Sequence, residues 1–171
     1  MIYNNEIQSF IINTKQRRNR KIRCEKQLKR RNLKSKFFIQ PMNSNPIEGN
    51  KQSHISLIKR SIEDGLDKVL VLEDDFKIIE SLDNLPEMPS DWDILYLGGD
   101  VLRKLEPTRN GWVRCVTKKH HAYLVNLKNE KMIEEMERCL KKKGKKYDDW
   151  MAERIHPIYR CYMLNPMRII Q

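Results

Sequence analysis

Three adjacent carboxylates, Glu73-Asp74-Asp75, close the apolar run Val69-Leu70-Val71-Leu72. Side by side they repel one another unless a cation or solvent compensates them, and a divalent metal is such a cation. If strand geometry continues through the triplet, its period of two sets Glu73 and Asp75 on one side and Asp74 on the other. Two carboxylates at the carboxyl end of a central strand stand where open α/β sheets bind ligands. Oxygen donors of this kind suit Mn²⁺ or Mg²⁺, ions that hold substrate phosphates. The same triplet also suits a solvated loop that caps the turn after the strand. Four more polar groups invite chemistry. Ser53-His54 precedes an apolar helix, which makes Ser53 a natural N-cap and His54 an exposed imidazole. Asn13 ends the first strand, where it can satisfy a turn. His120-His121 can add a metal ligand, and Asp148-Asp149 can serve either as the acids that a helix dipole favours at its start or as catalytic groups.

The elements that must position these residues alternate along the chain. Residues 7–13 (IQSFIIN) read as a short buried strand and 15–34, free of Gly and Pro, as a helix packed by one thin stripe of Ile22, Cys24, Leu28 and Leu33. A second strand spans 37–42 and a polar loop 43–52. A helix opening at Ser53 carries Ile55, Ile58, Ile62 and Leu66 at spacings of three and four, with Gly65 near its end. The run 69–76 is apolar on both faces, the mark of a strand in the middle of a covered, mostly parallel sheet. Further strands are expected at 94–97, broken by Gly98-Gly99, and at 112–116, 121–126 and 158–164. Between them a helix is expected over 128–142, with Met132, Ile133, Met136 and Leu140 on one face, and a short one over 148–155. Gly98 and Gly99, lacking side chains, would let a substrate approach the backbone. The pattern predicts an α/β sandwich forming one domain over residues 1–171.

Charge is concentrated rather than spread. The chain carries 34 Lys and Arg against 23 Asp and Glu, a formal net charge of +11. Residues 15–36 hold twelve basic side chains and one acid, Glu25, so this segment contains the whole excess. A protein that coats nucleic acid spreads positive charge over a broad face and interleaves it with aromatics. Residues 15–36 contain no aromatic side chain. Nucleic acid is therefore not the expected partner, and a polyanion-binding module built on this helix is the alternative from a different class. No run approaches the ~20 apolar residues of a spanning helix, and the N-terminal MIYNNEIQSF lacks a charged-then-apolar signal. The four cysteines form no CxxC pair and no Asn-x-Ser/Thr acceptor occurs. Reduced thiols and a cytoplasmic location are expected.

Taken in order, FIINTKQRRNRK, QSHISLIKRSIEDGLDKVLVLEDDF, DWDILYLGG, HHAYLVN and YDDWM resemble glycosyltransferase family 25, which includes bacterial lipooligosaccharide and collagen galactosyltransferases. The resemblance covers roughly residues 8 to 171. Its most specific pieces are Ser53-His54 upstream of Glu73-Asp74-Asp75 and the spacing onward to the Asp-Trp-Asp-Ile-Leu-Tyr-Leu-Gly run. The resemblance implies a GT-A-like, Rossmann-related fold with a mixed, mostly parallel sheet flanked by helices. It further implies a UDP-linked hexose donor such as galactose or glucose, Mn²⁺ or Mg²⁺, inversion at the anomeric carbon, and a glycan, protein-linked or lipid-linked acceptor. By position it implies that Glu73 and Asp75 hold metal and diphosphate, that Asn13, Arg20, Ser53, His54 and Asp74 lie near the donor, and that Asp149 is the base. Thr14 and Asn19 depart from the family, which usually has an aliphatic residue and an acid there. The chain ends at Gln171, where many relatives continue. The expectation is a minimal acceptor side or one domain of a longer system, with a catalytically idle relative as the bland version. Arg20 would meet the donor, while most other basic groups of 15–36 would face solvent or an anionic acceptor.

Overall fold

Runs of β-branched and leucine residues make the central strands, and the polar segments between them make the helices of a mixed α/β sheet. The computed structural model describes residues 7–82 and 84–171; residues 1–6, which include most of the segment read for a signal pattern, lie outside them. In chain order the elements are β1 (Gln8–Thr14), α1 (Arg18–Arg30), β2 (Lys36–Gln40), α2 (Pro46–Glu63), β3 (Lys68–Glu73) and β4 (Lys77–Ile78). They continue with β5 (Ile94–Lys104), β6 (Trp112–Asn126), α3 (Glu130–Glu137), α4 (Tyr147–Trp150), β7 (Cys161–Leu164) and β8 (Ile169–Ile170).

The described residues form a six-stranded sheet in the order β2-β1-β3-β6-β5-β7. β1 runs parallel to β2 and β3, and β7 parallel to β5. β6 opposes both β3 and β5, so it alone runs against the other strands. Val69, Leu70, Val71 and Leu72 of β3 are all buried because each face of the sheet is covered. Leu70 and Leu72 pack with Ile11 and with Cys24 and Leu28 of α1. Val69 and Val71 pack on the other face with Ile55 and Ile58 of α2 and with Met132 and Met136 of α3. The chain steps outward from β1 through α1 to β2, then returns through α2 to β3 on the far side of β1. Strand order therefore reverses between β1 and β3, and the reversal opens a crevice at their carboxyl ends.

Several elements differ from the sequence reading. α2 starts at Pro46, not Ser53: Asn45 accepts hydrogen bonds from the Ile47 and Glu48 amides, and Pro46 occupies the first turn. Residues 46–52, read as loop, are thus its first turns, while 43–45 stay outside the helix. α1 is shorter than 15–34 and α3 shorter than 128–142, the latter passing into a 3₁₀ turn over Arg138–Lys141. The strands expected at 112–116 and 121–126 are one strand, β6, because β5 pairs with it on both sides of the polar stretch at Thr117–Lys119. β5 likewise continues through Gly98-Gly99 to Lys104, shifting register there rather than ending. The small β4–β8 pair was not anticipated. No helix among the described residues is long and apolar enough to cross a membrane.

Candidate active site

The crevice between β1 and β3 collects the acidic triplet. Asn13, at the end of β1, donates from Nδ2 to Asp74 Oδ2 at 2.8 Å. Arg20 Nη1 bridges Asp74 Oδ1 and Asp75 Oδ2, both at 2.7 Å, and Arg17 Nη1 reaches Asp74 Oδ1 at 3.3 Å. Two cations from the first turns of α1 thus offset the repulsion of two adjacent carboxylates. β3 stops at Glu73 and the chain turns. The strand alternation that would align Glu73 with Asp75 therefore ends before Asp75: Asp75 joins Asp74 on Arg20, whereas Glu73 turns toward α2.

Glu73 Oε1 receives His54 Nε2 and Asn50 Nδ2, each at 3.1 Å, and its Oε2 receives Gln171 Nε2 at 3.3 Å. A carboxylate only accepts, so His54 donates from Nε2; in the neutral ring Nδ1 then accepts from the Tyr123 hydroxyl at 2.7 Å. Tyr123 in turn lies 3.2 Å from the Tyr147 hydroxyl, and Tyr147 stacks on His54 with ring centroids 4.6 Å apart. Burial pushes the Tyr123 and Tyr147 hydroxyls well above their ordinary pKa, which keeps them protonated. Burial raises the Glu73 pKa, but the hydrogen bonds from His54 and Asn50 outweigh it and bring the value below the ordinary one. His54 is therefore not the exposed imidazole its position next to an N-cap suggested; it is buried as the support of Glu73.

A cleft of about 310 Å³ opens over this crevice, and Asn13, Arg20, Ser53, Glu73, Asp74 and Asp75 all line it. Ser53 is mid-helix, donating to the Gly49 carbonyl at 2.7 Å, and His54 stands behind Glu73. Asp149 does not line this cleft. It lies on α4, where its Oδ1 accepts from Lys118 Nζ at 2.7 Å and where that hydrogen bond draws its pKa below the ordinary value. Its neighbour Asp148 accepts from the Lys119 amide at 3.0 Å and sits 3.2 Å from His120 Nδ1. α4 belongs to the same face as His54, since Tyr147 in its first turn supplies the ring stacked on that histidine.

Neither a family model nor a curated protein matches the sequence. Solved structures do match. One is a glycosyltransferase involved in glycosylation of the major capsid of PBCV-1, with TM-score 0.59 and 9% identity over 94% of this chain and 82% of that one. Another is mannose-1-phosphate geranyltransferase from Thermus thermophilus, with TM-score 0.53 and 10% identity over 93% and 73% of the two chains. A third is CTP:phosphocholine cytidylyltransferase from Streptococcus pneumoniae, with TM-score 0.51 and 9% identity over 96% and 92%. What they share with this chain is the fold. It is the Rossmann-like, GT-A-type sheet expected from the sequence, and the likeness does not single out family 25.

One expectation about the site changes. Gly98 does not leave room for a substrate: a Cβ there would overlap the Ile169 carbonyl oxygen, so the close approach is made by β8. His120 and His121 are both buried. His120 is buried among Tyr96, Tyr123, Tyr147 and His156, and burial lowers its pKa despite Asp148 nearby. His121 Nε2 contacts the Ile169 carbonyl at 3.3 Å. Asn50, Tyr123 and Tyr147 were not foreseen. Asn50 lies four residues before His54 on one helix face, a spacing legible once α2 is started at Pro46.

The donor set bears directly on the divalent cation that the resemblance implies. No group of three or more His, Cys, Asp or Glu side chains gathers around one point among the described residues. Yet Asp75 Oδ1 is buried without a hydrogen-bond partner among them, an anionic oxygen left for a hard cation. One or two carboxylates completed by substrate phosphates and water is the usual setting of Mg²⁺ in phosphate sites. The residues fit such an ion.

Proposed function

We propose that the protein is a nucleotide-sugar glycosyltransferase of the family 25 type, moving a galactose or glucose unit from UDP to an acceptor hydroxyl with inversion. The observation that carries this reading is the cleft at the strand-order reversal, where Asn13, Arg20, Ser53 and the three carboxylates converge. Glu73 and Asp75 would hold Mn²⁺ or Mg²⁺, which when bound supplies Lewis acidity toward a leaving diphosphate. Arg20 faces the donor phosphates from the first turns of α1; Asp74 orients it through the hydrogen bond it accepts, and Asn13 in turn holds Asp74. Ser53 walls the opposite side of the cleft. His54 holds Glu73 from behind, and the Tyr123–Tyr147 pair fixes the histidine ring. Asp149, ionised at neutral pH and with its pKa drawn further down by the Lys118 hydrogen bond, accepts the proton of the acceptor hydroxyl as it attacks. Loosening of the Lys118 contact as the acceptor seats would raise the basicity of Asp149 at the moment of transfer.

The test is incubation with Mn²⁺ and a panel of UDP-sugars. UDP release is expected, by slow hydrolysis if no acceptor is present. Asp75→Asn should abolish metal-dependent donor binding, while Asp149→Asn should bind donor but transfer poorly. Absence of binding and turnover with every sugar would sink the reading. Pyrophosphate release from CTP or UTP with a sugar phosphate would instead assign the fold to nucleotidyl transfer.

A further inference from the structure

The cations of α1 and its surroundings fall into two sets. Arg17 and Arg20 are matched to Asp74 and Asp75, and Lys21 to Glu25. Arg23, Lys26 and Arg30 on the next face of the same helix, Arg31 just after it, and Lys77 on β4 have no carboxylate partner among the described residues. These five line a second cleft, of about 500 Å³, whose shared wall with the first is Asp74 and Asp75. The cleft is built rather than incidental. Gln27 clamps its floor, donating from Nε2 to the Phe76 carbonyl at 2.8 Å and accepting the Ile78 amide at Oε1 at 3.0 Å. Phe76 and Ile78 are themselves buried beneath it.

Spacings of three and four set Arg23, Lys26 and Arg30 on one helix face. Guanidinium groups match phosphate and carboxylate geometry in pairs. The two acids in the wall are already neutralised by Arg17 and Arg20, so the cleft presents net positive charge. Its aromatic residue, Phe76, is buried and offers no ring on which a nucleic-acid base could stack. We propose that this cleft seats the acceptor, and that the acceptor is an anionic saccharide chain bearing carboxylate or phosphate groups. The chain would lie on the α1 side of Asp74 and Asp75, and its reacting end would have to pass over them toward the α4 side that carries Asp149. This assignment rests on the glycosyltransferase reading and names the acceptor class for it.

The experiment is calorimetric titration of the full chain with oligogalacturonate, a phosphorylated manno-oligosaccharide, a neutral malto-oligosaccharide and a short single-stranded DNA, with UDP-sugar and Mn²⁺ titrated separately. At least one anionic saccharide should bind in a saturable way and the neutral one should not. Arg23→Ala with Arg30→Ala should weaken that binding about tenfold or more, whereas Lys141→Ala with Lys143→Ala should leave it intact. An equal loss in both pairs would mean diffuse electrostatic attraction and overturn the proposal. So would binding of the neutral chain alone, no binding of either anionic saccharide, or DNA binding that is tighter and lost with the same arginines. If UDP-sugar fails to bind while the anionic saccharide binds through Arg23 and Arg30, the donor reading falls and the anion cleft stands. If donor binds and no anionic saccharide does, only the cleft assignment falls.

Discussion

Arg20 is the joint between the cationic helix and the acidic triplet, and replacing it with methionine isolates its contribution. Arg20→Met keeps an apolar stem of similar length and removes the donors to Asp74 Oδ1 and Asp75 Oδ2. Two charge-assisted hydrogen bonds of ~1.5–3 kcal/mol each set an upper bound of roughly 3–6 kcal/mol. That bound is too high here. The Arg20 side chain is 33% exposed, so solvent already screens part of its charge, and Asp74, at 3% exposure, keeps Asn13 and Arg17. A loss of about 1–3 kcal/mol follows, or a fall in Tm of roughly 2–12 °C for a chain of this size. Arg18→Met on the same turn removes an exposed cation and should stay within ~0.5 kcal/mol. The variant also leaves two adjacent carboxylates facing one another with less compensation. Added Mn²⁺ should therefore raise the melting temperature of Arg20→Met by more than that of the parent, by mass action on the folded state. The assay is a thermal melt followed by circular dichroism, with and without Mn²⁺. If Arg20→Met melts like Arg18→Met and Mn²⁺ shifts both equally, the bridge contributes nothing and the account of the triplet is wrong.

Three other outcomes are expected. Lys118 holds the Asp149 pKa down in the free protein, and a base must be ionised to accept a proton, so activity falls as pH drops through that pKa; Lys118→Met should move the acidic limb of the kcat/KM profile to higher pH, and an unmoved limb would remove Asp149 as the base. Gly98→Ala would drive a Cβ into the Ile169 backbone and should cost at least about 1–3 kcal/mol, read as a lower urea midpoint; a midpoint equal to the parent's would show that β8 gives way freely. Burial pushes the Cys24 and Cys115 thiols up to about 12 and Cys139 up to about 11, with Cys161 also raised. Ellman's reagent at mildly alkaline pH should therefore label the native protein only slowly and the guanidinium-unfolded protein at once; fast native labelling would contradict that burial.

Much of the frame was legible in the chain. β1, β3 and the α2 face carry periodicities that local chemistry enforces, and a strand apolar on both sides can only sit under helices on both faces. The limits of elements were less legible where signals overlapped. Ser53 is an acceptable cap, but Asn45 followed by Pro46 is a better one eight residues earlier, and choosing it converts Asn50 into a helix-face neighbour of His54. Lys118 and Lys119 look like a loop between two strands, yet pairing with β5 carries one strand through them.

The sequence by itself determined that three carboxylates end a buried strand, that one segment holds the excess positive charge, and that the two are separated by a helix and two strands. Only the tertiary structure decided that they are the same site. Parallel pairing of β1 with β3 brings the start of α1 to the end of β3, a contact across more than fifty residues that no local pattern encodes. That fold spends Arg17 and Arg20 on Asp74 and Asp75 and leaves Arg23, Lys26 and Arg30 without carboxylate partners among the described residues, because a helix divides its side chains by angle and not by order. The net charge of +11 was a property of the composition; its division into a neutralised set and a free set is a property of the fold.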